Sequence, residues 1–418
     1  MKRTIDILKN SDKMKKAFAF IHSDDENTLA QTLELVKIPA FSNCEKKRSE
    51  HFRALMENEG YEVITDEVDN VYTIIRGSGC GPTVYITAHL DTVFPMDTPL
   101  IERREGEKIF VPGISDDTRC LAEILSVMRA IKAAELTPVG DIIIGANVGE
   151  EGLGNLRGVR NFFRNNADKV DGFITVDGAG TGICIGAVGS LRYKVTFSGP
   201  GGHSNGAFGL VNPIHAMGRA IAYISEMRAP QEPRTTFCVG VVEGGTSVNS
   251  IAGSCSMLMD IRSVSQEELL KLDAKFKECV QKAVKDENDR WEEERNSPFA
   301  HFDTSARIEV TIEEIGNRPA GMQTENDDIV RIVKEAYEAV GVTIPYMGAA
   351  STDANIPISL GIPAVAVSGG GKSGNAHNVE EWFDPTDAYL GVQRILLTLF
   401  SMVGLSGVSE ALLPVRGK

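Results

Sequence analysis

Several short apolar runs in this chain end in a histidine or a carboxylate, close to a glycine or another turn residue. The runs read TVYITAHLD, GISDD, DIIIGANVGEE, FITVDG and AVAVSGGG, the last followed by the loop GNAHN. The polar residues at their ends are His89, Asp91, Asp116, Glu150, Glu151, Asp177 and His377. In α/β folds, active sites collect at the carboxyl ends of the strands, so residues far apart in the sequence can meet there.

The residue types at these ends are those that hold transition metals. Carboxylate oxygens mixed with imidazole nitrogens suit zinc, manganese or cobalt better than calcium or an iron–sulfur cluster. Burying the adjacent carboxylates of Glu150 and Glu151 at the end of an apolar strand is costly without a cation. His89 and Asp91 point to the same side of a strand, so Asp91 could hydrogen-bond the second ring nitrogen of a metal-bound His89.

Each of these residues also has an ordinary structural interpretation. Asp116 and Asp117 precede a helical segment, where Asp is a favoured N-cap, and Asp117 could cap that helix in either case. Asp177 begins an Asp-Gly turn, His377 lies in a polar loop, and an adjacent pair of glutamates could be a solvated acidic turn. It is the joint occurrence of these residues, mostly at strand ends, that predicts a two-metal hydrolase.

Length and charge limit the classes of protein that this chain can belong to. A chain of 418 residues is too long for one ordinary core, so we expect more than one domain. The formal net charge of -15 argues against nucleic acid or an anionic membrane as the main partner. Seven cysteines without a C-x-x-C spacing fit a reducing compartment. No run resembles a signal peptide or is long enough to span a membrane, so we expect a cytoplasmic protein.

The order of the elements predicts a catalytic domain that is interrupted by a second one. Up to about residue 188, buried-type strands alternate with helical segments, which predicts an α/β domain with a mixed, mostly parallel sheet flanked by helices. Residues 189–318 follow the order βαββαβ of a ferredoxin-like α+β domain. The α/β pattern then resumes over residues 319–418. We therefore expect residues 1–188 and 319–418 to form one catalytic domain and residues 189–318 to form an inserted lid.

The motifs resemble those of a known family, the cocatalytic zinc peptidases that include peptidase T, carboxypeptidase G, carnosinase and the aminoacylase-type deacylases. The matching segments are TAHLDTV, GISDDTR, GEEGLGNLRG, TVDG, GPGGHS, GGTSVNSIAG, MDIR and GNAHN. They follow one another over most of the chain, and the insertion begins where the family has it. The resemblance implies the zinc exopeptidase type of fold with its lid domain.

The resemblance also implies which residues hold two divalent ions, most typically zinc, with manganese or cobalt as alternatives. His89 and Asp177 would hold one ion and Glu151 and His377 the other, with Asp116 bridging the two.

Two further features of the site follow from the same resemblance. Glu150 would act as general base and proton shuttle, and Asp91 would support His89. In such proteins the peptide bond after the bridging aspartate is often cis, which makes Asp116–Asp117 a candidate cis bond. Thr118 is a departure, because many members have lysine at that position.

The lid would contribute to substrate binding. His203 in GPGGHSNG resembles a family histidine that stabilises the oxyanion, often across a dimer. Asn249 in TSVNSIAG and Arg262 in MDIR resemble groups that contact the substrate, and Arg262 is suited to a terminal carboxylate. A homodimer formed through the lid is therefore one expectation. An exposed loop histidine is the alternative for His203, and a strand-end arginine such as Arg262 is more often simply solvated.

The substrate class is indicated by one ligand position. Within the family, Asp at the position of Asp177 is commoner in aminopeptidases and dipeptidases, and Glu in deacylases and carboxypeptidases. The chain looks most similar to the tripeptide aminopeptidases, so we expect release of the N-terminal residue from short peptides. The alternatives are an N-acyl-amino-acid amidohydrolase or a dipeptidase of the same fold, and an inactive peptide-binding member. The complete ligand set and the presence of Glu150 argue against the last.

Overall fold

The computed structural model describes residues 1–292, 296, 303, 305–344 and 347–417, and the chain folds into two compact units. The first unit comprises Met1–Ala187 and Met322–Lys418, and the second comprises Val188–Gly321. The second unit is therefore an insertion into the first along the sequence. That these units coincide with domains at 1–188, 189–318 and 319–418 stays a prediction.

The first unit contains a nine-stranded mixed sheet. Its strands are β1 (Ile64–Thr65), β2 (Val71–Ile75), β3 (Val84–His89), β6 (Ile142–Asn147), β7 (Gly172–Ala179), β8 (Ile183–Ala187), β15 (Gly321–Met322), β16 (Met347–Ala350) and β17 (Ala364–Gly369). Their order is β1-β2-β6-β3-β7-β17-β8-β15, with β16 beside β8. Strands β6, β3, β7 and β17 are parallel to their neighbours in this run, whereas β2 and β8 pair with its outer strands in the antiparallel sense.

The two central strands, β3 and β6, are buried on both faces of the sheet. All six residues of β3 and all six of β6 are buried, as expected for parallel strands packed between helices. The flanking helices are α1 (Lys2–Asn10), α2 (Asp12–Ser23), α3 (Asp25–Leu35), α4 (Lys46–Asn58), α5 (Arg119–Ala133), α6 (Arg157–Asn166), α9 (Asp328–Ala339), α10 (Asn355–Ser359) and α11 (Tyr389–Val403). The expected α/β fold, with a mixed sheet flanked by helices, is confirmed.

A smaller four-stranded sheet of the first unit carries the loop that contains His377. Its strands are β4 (Arg103–Glu105), β5 (Lys108–Phe110), β18 (Lys372–Gly374) and β19 (Trp382–Asp384). The order is β18-β19-β5-β4, and β18 and β19 are antiparallel. His377 therefore lies in the connection between two paired strands.

The second unit has the ferredoxin-like arrangement. Its elements are β9 (Gly189–Ser198), β10 (Gly202–His203), α7 (Pro213–Ser225), β11 (Thr235–Gly244), β12 (Ser250–Ile251), β13 (Ser254–Ser263), α8 (Gln266–Arg290) and β14 (Glu309–Arg318). The four long strands form an antiparallel sheet in the order β11-β13-β9-β14. The alternating buried residues of β9 and β13 share a core with both helices. A short ribbon of β10 and β12, which the sequence analysis did not predict, is added to this plan.

None of the helices in the described part of the chain is both long enough and apolar enough to cross a membrane.

Two adjacent leucines of α8 test which face of the helix is buried. Leu269 is fully buried and Leu270 is 53% exposed. We expect Leu269→Ala to lower the free energy of unfolding of this unit by about 2–5 kcal/mol, because it leaves a cavity. Leu270→Ala should change it by no more than about 0.5 kcal/mol. Urea unfolding followed by fluorescence of Trp291, in a Trp382→Phe background, measures both, and equal losses would contradict the burial of Leu269.

Candidate active site

The residues predicted at strand ends converge at one edge of the large sheet. His89 is the last residue of β3, Asp177 lies near the end of β7, and Glu150 and Glu151 closely follow β6. Because β6, β3 and β7 are adjacent and parallel, their carboxyl ends lie side by side. The alternation of strand and helix in the sequence produces this convergence.

Asp116 enters the site from an irregular turn. Residues Ile114–Thr118 form a wide helical turn in which Asp116 and Asp117 have non-helical backbone angles. The peptide bond between Asp116 and Asp117 is cis, as the family resemblance implied. The turn leads directly into α5, which lies in the centre of the first unit.

His377 reaches the same place from the loop between β18 and β19. Its Nε2 atom lies 2.6 Å from Oε1 of Glu151 and 3.1 Å from Oδ2 of Asp116. Its side chain is 54% exposed, whereas that of His89 is 1% exposed. The site therefore has a closed side at His89 and a solvent-accessible side at His377.

Two groups of three residues each bring their ligand atoms within 4.8 Å of one another, and they share Asp116. The first is His89, Asp116 and Asp177, and the second is Asp116, Glu151 and His377; a further group contains His89, Glu150 and Glu151. Oδ1 of Asp116 lies 3.1 Å from Nε2 of His89, and its Oδ2 lies 3.1 Å from Nε2 of His377. The two oxygens of one carboxylate thus face two different histidines.

Asp91 lies beside His89, the residue it was expected to support, and is also held by several other donors. The Nδ1 atom of His89 lies 3.0 Å from the backbone carbonyl of Asp91, which accepts its hydrogen bond, and 3.6 Å from the carboxylate. The carboxylate instead accepts from the amides of Glu150 and Glu151, both at 2.9 Å, and from the Ser42 hydroxyl at 2.7 Å. These buried donors need an acceptor, so the side chain of Asp91 holds the Glu150–Glu151 segment.

Asp117 does not cap the helix that follows it. Its fully buried carboxylate accepts from the amide of His89 at 2.9 Å and from the amide of Gly178 at 3.3 Å. These amides lie at the ends of β3 and β7. The sequence interpretation was wrong here: the N-cap of α5 is Thr118, no side-chain cap bond is formed there, and the Asp117 carboxylate is engaged by two strand-end amides instead.

The charges in the site perturb one another strongly. Burial and the neighbouring charge of Asp116 raise the pKa of Asp177 to about 7. Hydrogen bonds to Asp116 and Glu151 raise the pKa of His377 to about 10. Burial lowers the pKa of His89, but the charge of Asp117 and the contact with Asp116 outweigh it and raise the pKa well above its usual value. The clustered carboxylates therefore raise the pKa of Asp177 and of both histidines. A site with this excess of negative charge fits divalent cations.

The three residues expected to contact substrate lie in the second unit. His203 in β10 is exposed, and its Nδ1 atom accepts from the amides of Asn205 and Gly206 at 3.3 and 3.2 Å. Asn249 lies beside it, because its carbonyl accepts from the amide of Ser204 at 3.0 Å. Arg262 in β13 donates from Nε to Oδ2 of Asp260 at 2.7 Å. His203 and Asn249 are thus neighbours, and Arg262 lies in the long-stranded sheet.

Two residues near the metal-type ligands were missed by the sequence analysis. Ser42 donates to both Asp91 and the backbone carbonyl of Glu151, at 2.7 and 3.1 Å. Glu381 is fully buried and accepts from the turn that contains Asp116. A serine in a turn and an acidic pair in a loop have no distinguishing pattern, so only the position of Glu381 shortly after His377 could have drawn attention to it.

The sequence profile of Peptidase family M20/M25/M40 matches residues 85–401. The chain belongs to this family. Among its relatives, the uncharacterized protein YqjE of Bacillus subtilis is 24% identical over 83% of this chain and 91% of its own length. An acetylornithine deacetylase of Pectobacterium carotovorum is 26% identical over 49% of this chain and 56% of its own length.

Solved structures of other M20 proteins share the fold. A tripeptidase from Staphylococcus aureus superposes with a TM-score of 0.72 at 21% identity, and the aminopeptidase PepT from Bacillus cereus with 0.70 at 20%; each match covers 90% of this chain and 97% of the other. YXEP of Bacillus subtilis, a dinuclear metal binding M20 peptidase, superposes with 0.63 at 15% identity, covering 91% of this chain and 99% of its own. At these identities the likeness shows the fold alone.

Metal binding to this M20 chain should release protons. Between the ordinary histidine pKa of about 6.5 and the value of about 10 for His377, the metal-free imidazole is protonated, and a ligand must lose that proton. We expect His377→Ala to release fewer protons on zinc binding than the wild type, as measured calorimetrically in buffers of different ionisation enthalpy. His51→Ala, which lies outside the site, should behave as the wild type.

The raised pKa of His377 determines how the stability of the metal-free protein depends on pH. The stabilisation that protonated His377 gives the metal-free protein is complete below about pH 6.5 and is lost as the pH rises through about 10. The difference in proton release between wild type and His377→Ala should disappear over the same upper range. An equal release by both proteins at neutral pH would contradict the assignment.

Proposed function

We propose that this M20 protein is a two-metal peptidase that releases the N-terminal residue from short peptides, as a tripeptide aminopeptidase does. The observation that carries the proposal is the pair of three-residue groups that share Asp116. In this proposal His89 and Asp177 would hold one ion, Glu151 and His377 would hold the other, and Asp116 would be shared by the two. Zinc is the first choice of metal, with manganese and cobalt as alternatives.

The proton transfers of the reaction are assigned to residues of the protein. Two divalent ions, when bound, polarise the scissile carbonyl and lower the pKa of water. Glu150 is 5% exposed, and its amide is fixed on Oδ1 of Asp91. We assign to its carboxylate the removal of a proton from the attacking water and the delivery of a proton to the departing amine. Asp91 would serve this step by holding the backbone of Glu150 and Glu151.

The second unit would supply substrate contacts. His203 would stabilise the oxyanion, since its Nδ1 atom accepts two amide hydrogen bonds and leaves Nε2 as the N–H donor of the neutral ring. Asn249 would contact the peptide backbone, and Arg262 would bind the terminal carboxylate of the substrate. The guanidinium of Arg262 is suited to that contact because Asp260 engages its Nε atom.

The finer assignment to an aminopeptidase is supported by Asp177, whose carboxylate lies within the group that contains His89 and Asp116. The relative that is an acetylornithine deacetylase favours a second candidate, the hydrolysis of N-acyl amino acids. The free cysteines support the reducing environment of the cytoplasm as the location.

A direct comparison of substrates separates the two candidates. We expect the zinc-, manganese- or cobalt-loaded protein to release the N-terminal residue of free tripeptides, and to act far more slowly on N-acetylated amino acids. Blocking the amino terminus of the same tripeptide should abolish release. Faster cleavage of N-acetyl amino acids would replace the aminopeptidase with the deacylase, and tight peptide binding without turnover would indicate an inactive member.

Glu150→Gln provides the matched control for that assay. It removes the proposed proton carrier while preserving shape, so kcat should fall by about 10²–10⁴-fold with an unchanged metal content. Asp116→Asn should reduce both kcat and metal content. If Glu150→Gln retained wild-type kcat, the residual hydrolysis would need another base and the assignment would be wrong.

We also propose that two copies of the chain pair through the second unit. The supporting observation is that β11 is an edge strand of the four-stranded sheet and that Val241 and Val242 in it are 41% and 54% exposed. An exposed strand edge is a template for pairing with another chain. Sedimentation equilibrium should give a dimer for the wild type and a monomer when Val241 is replaced by proline, and a monomeric wild type would refute the pairing.

A further inference from the structure

Glu381 is a fully buried carboxylate in the loop between β18 and β19, shortly after His377. Its Oε1 atom accepts hydrogen bonds from the amide and hydroxyl of Ser115, at 2.8 and 2.7 Å, and from the amide of Asp116 at 3.0 Å. Its Oε2 atom accepts from the amide of Gly113 at 2.8 Å. All these donors belong to the one turn that carries Asp116.

The backbone of Glu381 is held as firmly as its side chain. Its carbonyl accepts from the amide of Val111 at 3.2 Å, and its own amide donates to the carbonyl of Asn378 at 2.9 Å. Asn378 in turn donates to the carbonyl of Asn375 at 3.1 Å, which closes the loop around His377. One residue therefore joins the loop of His377 to the segment that leads to Asp116.

The link that Glu381 makes between the two segments is relevant to the distance between Asp116 and His377. Oδ2 of Asp116 and Nε2 of His377 lie 3.1 Å apart, although the two residues belong to different loops and His377 is half exposed. Within the described part of the chain, Glu381 belongs to none of the groups whose atoms could hold a metal ion. Its oxygens are already engaged by four donors, so its influence on a metal must pass through the residues it holds.

We propose that Glu381 is a positioning residue that sets the spacing between Asp116 and His377, and thereby the affinity for the ion that these residues share with Glu151. The proposal rests on the two-metal function proposed above. A buried N–H group that loses its acceptor is costly, so the turn and the loop would rearrange together if the carboxylate were changed. The ion held by His89 and Asp177 should be affected less, because Asp116 is the one ligand of that ion in a segment that Glu381 holds, whereas the other ion has two such ligands, Asp116 and His377.

Glu381→Gln is the decisive variant, since it keeps the shape and turns one acceptor into a donor that faces an N–H group. Titration of the metal-free variant with zinc should show one site close to wild type and a second site weakened about 10–100-fold, the usual effect of residues that orient metal ligands. Titration with cobalt(II) should show a visible absorption that is altered more for the second equivalent than for the first. A merely structural role would not separate the two equivalents.

Glu287→Gln is the matched control. Glu287 is also fully buried and accepts from the Trp291 ring at 3.0 Å and the Asn212 amide at 3.1 Å, but it lies in the second unit. It should lose stability while binding both equivalents as the wild type does. Equal weakening by Glu287→Gln and Glu381→Gln, or wild-type binding by Glu381→Gln, would overturn the proposal.

Two further measurements distinguish a failure of the role of Glu381 from a failure of the proposed two-metal function. If Glu381→Gln does not fold, Ser115→Ala removes only the hydroxyl bond to Oε1, and it should weaken the second site several-fold; unchanged binding by Ser115→Ala overturns the positioning role. Wild-type protein that binds fewer than two ions overturns the proposed two-metal function, whereas two wild-type sites with unaffected variants overturn the role of Glu381 alone.

Discussion

Like charges brought together at the edge of one sheet are the constraint on which the rest of this site depends. The carboxylates of Asp91, Asp116, Asp117, Glu150, Glu151 and Asp177 lie at or beside the ends of three adjacent strands. Carboxylates that are removed from water repel one another and favour the protonated form, which is visible in the raised pKa of Asp177. The fold can keep such a group only by surrounding it with donors or cations.

The carboxylates meet this constraint in two different ways. Asp91, Asp117 and Glu381 are satisfied by backbone amides, and each of them joins chain segments that are distant in sequence. Asp116 and Glu151 face imidazole nitrogens instead. A metal ion can take the place of the proton on such a nitrogen. The first set joins separate segments of the chain, and the second set forms the candidate metal site.

The distinction between these sets explains which predictions from sequence succeeded. The pattern of strand ends led to the residues that converge, including Asp116 and His377, and family resemblance led to the cis bond after Asp116. The same reasoning was wrong about the role of Asp117 and missed Glu381 and the amide partners of Asp91. A carboxylate that accepts from amides has no sequence signature of its own, because every non-proline residue offers the same donor.

The sequence by itself determined the α/β fold, the insertion of a ferredoxin-like unit and the residue types at the strand ends, because hydrophobic periodicity and strand order are local properties. Only the tertiary structure decided which carboxylate holds which loop. Those hydrogen bonds join residues such as Gly113 and Glu381, which are 268 positions apart, and their geometry depends on how the turn before α5 and the loop after β18 meet. The direction in which a buried carboxylate points depends on all the hydrogen-bond donors around it. Most of these donors come from distant parts of the chain, so the local sequence does not reveal them.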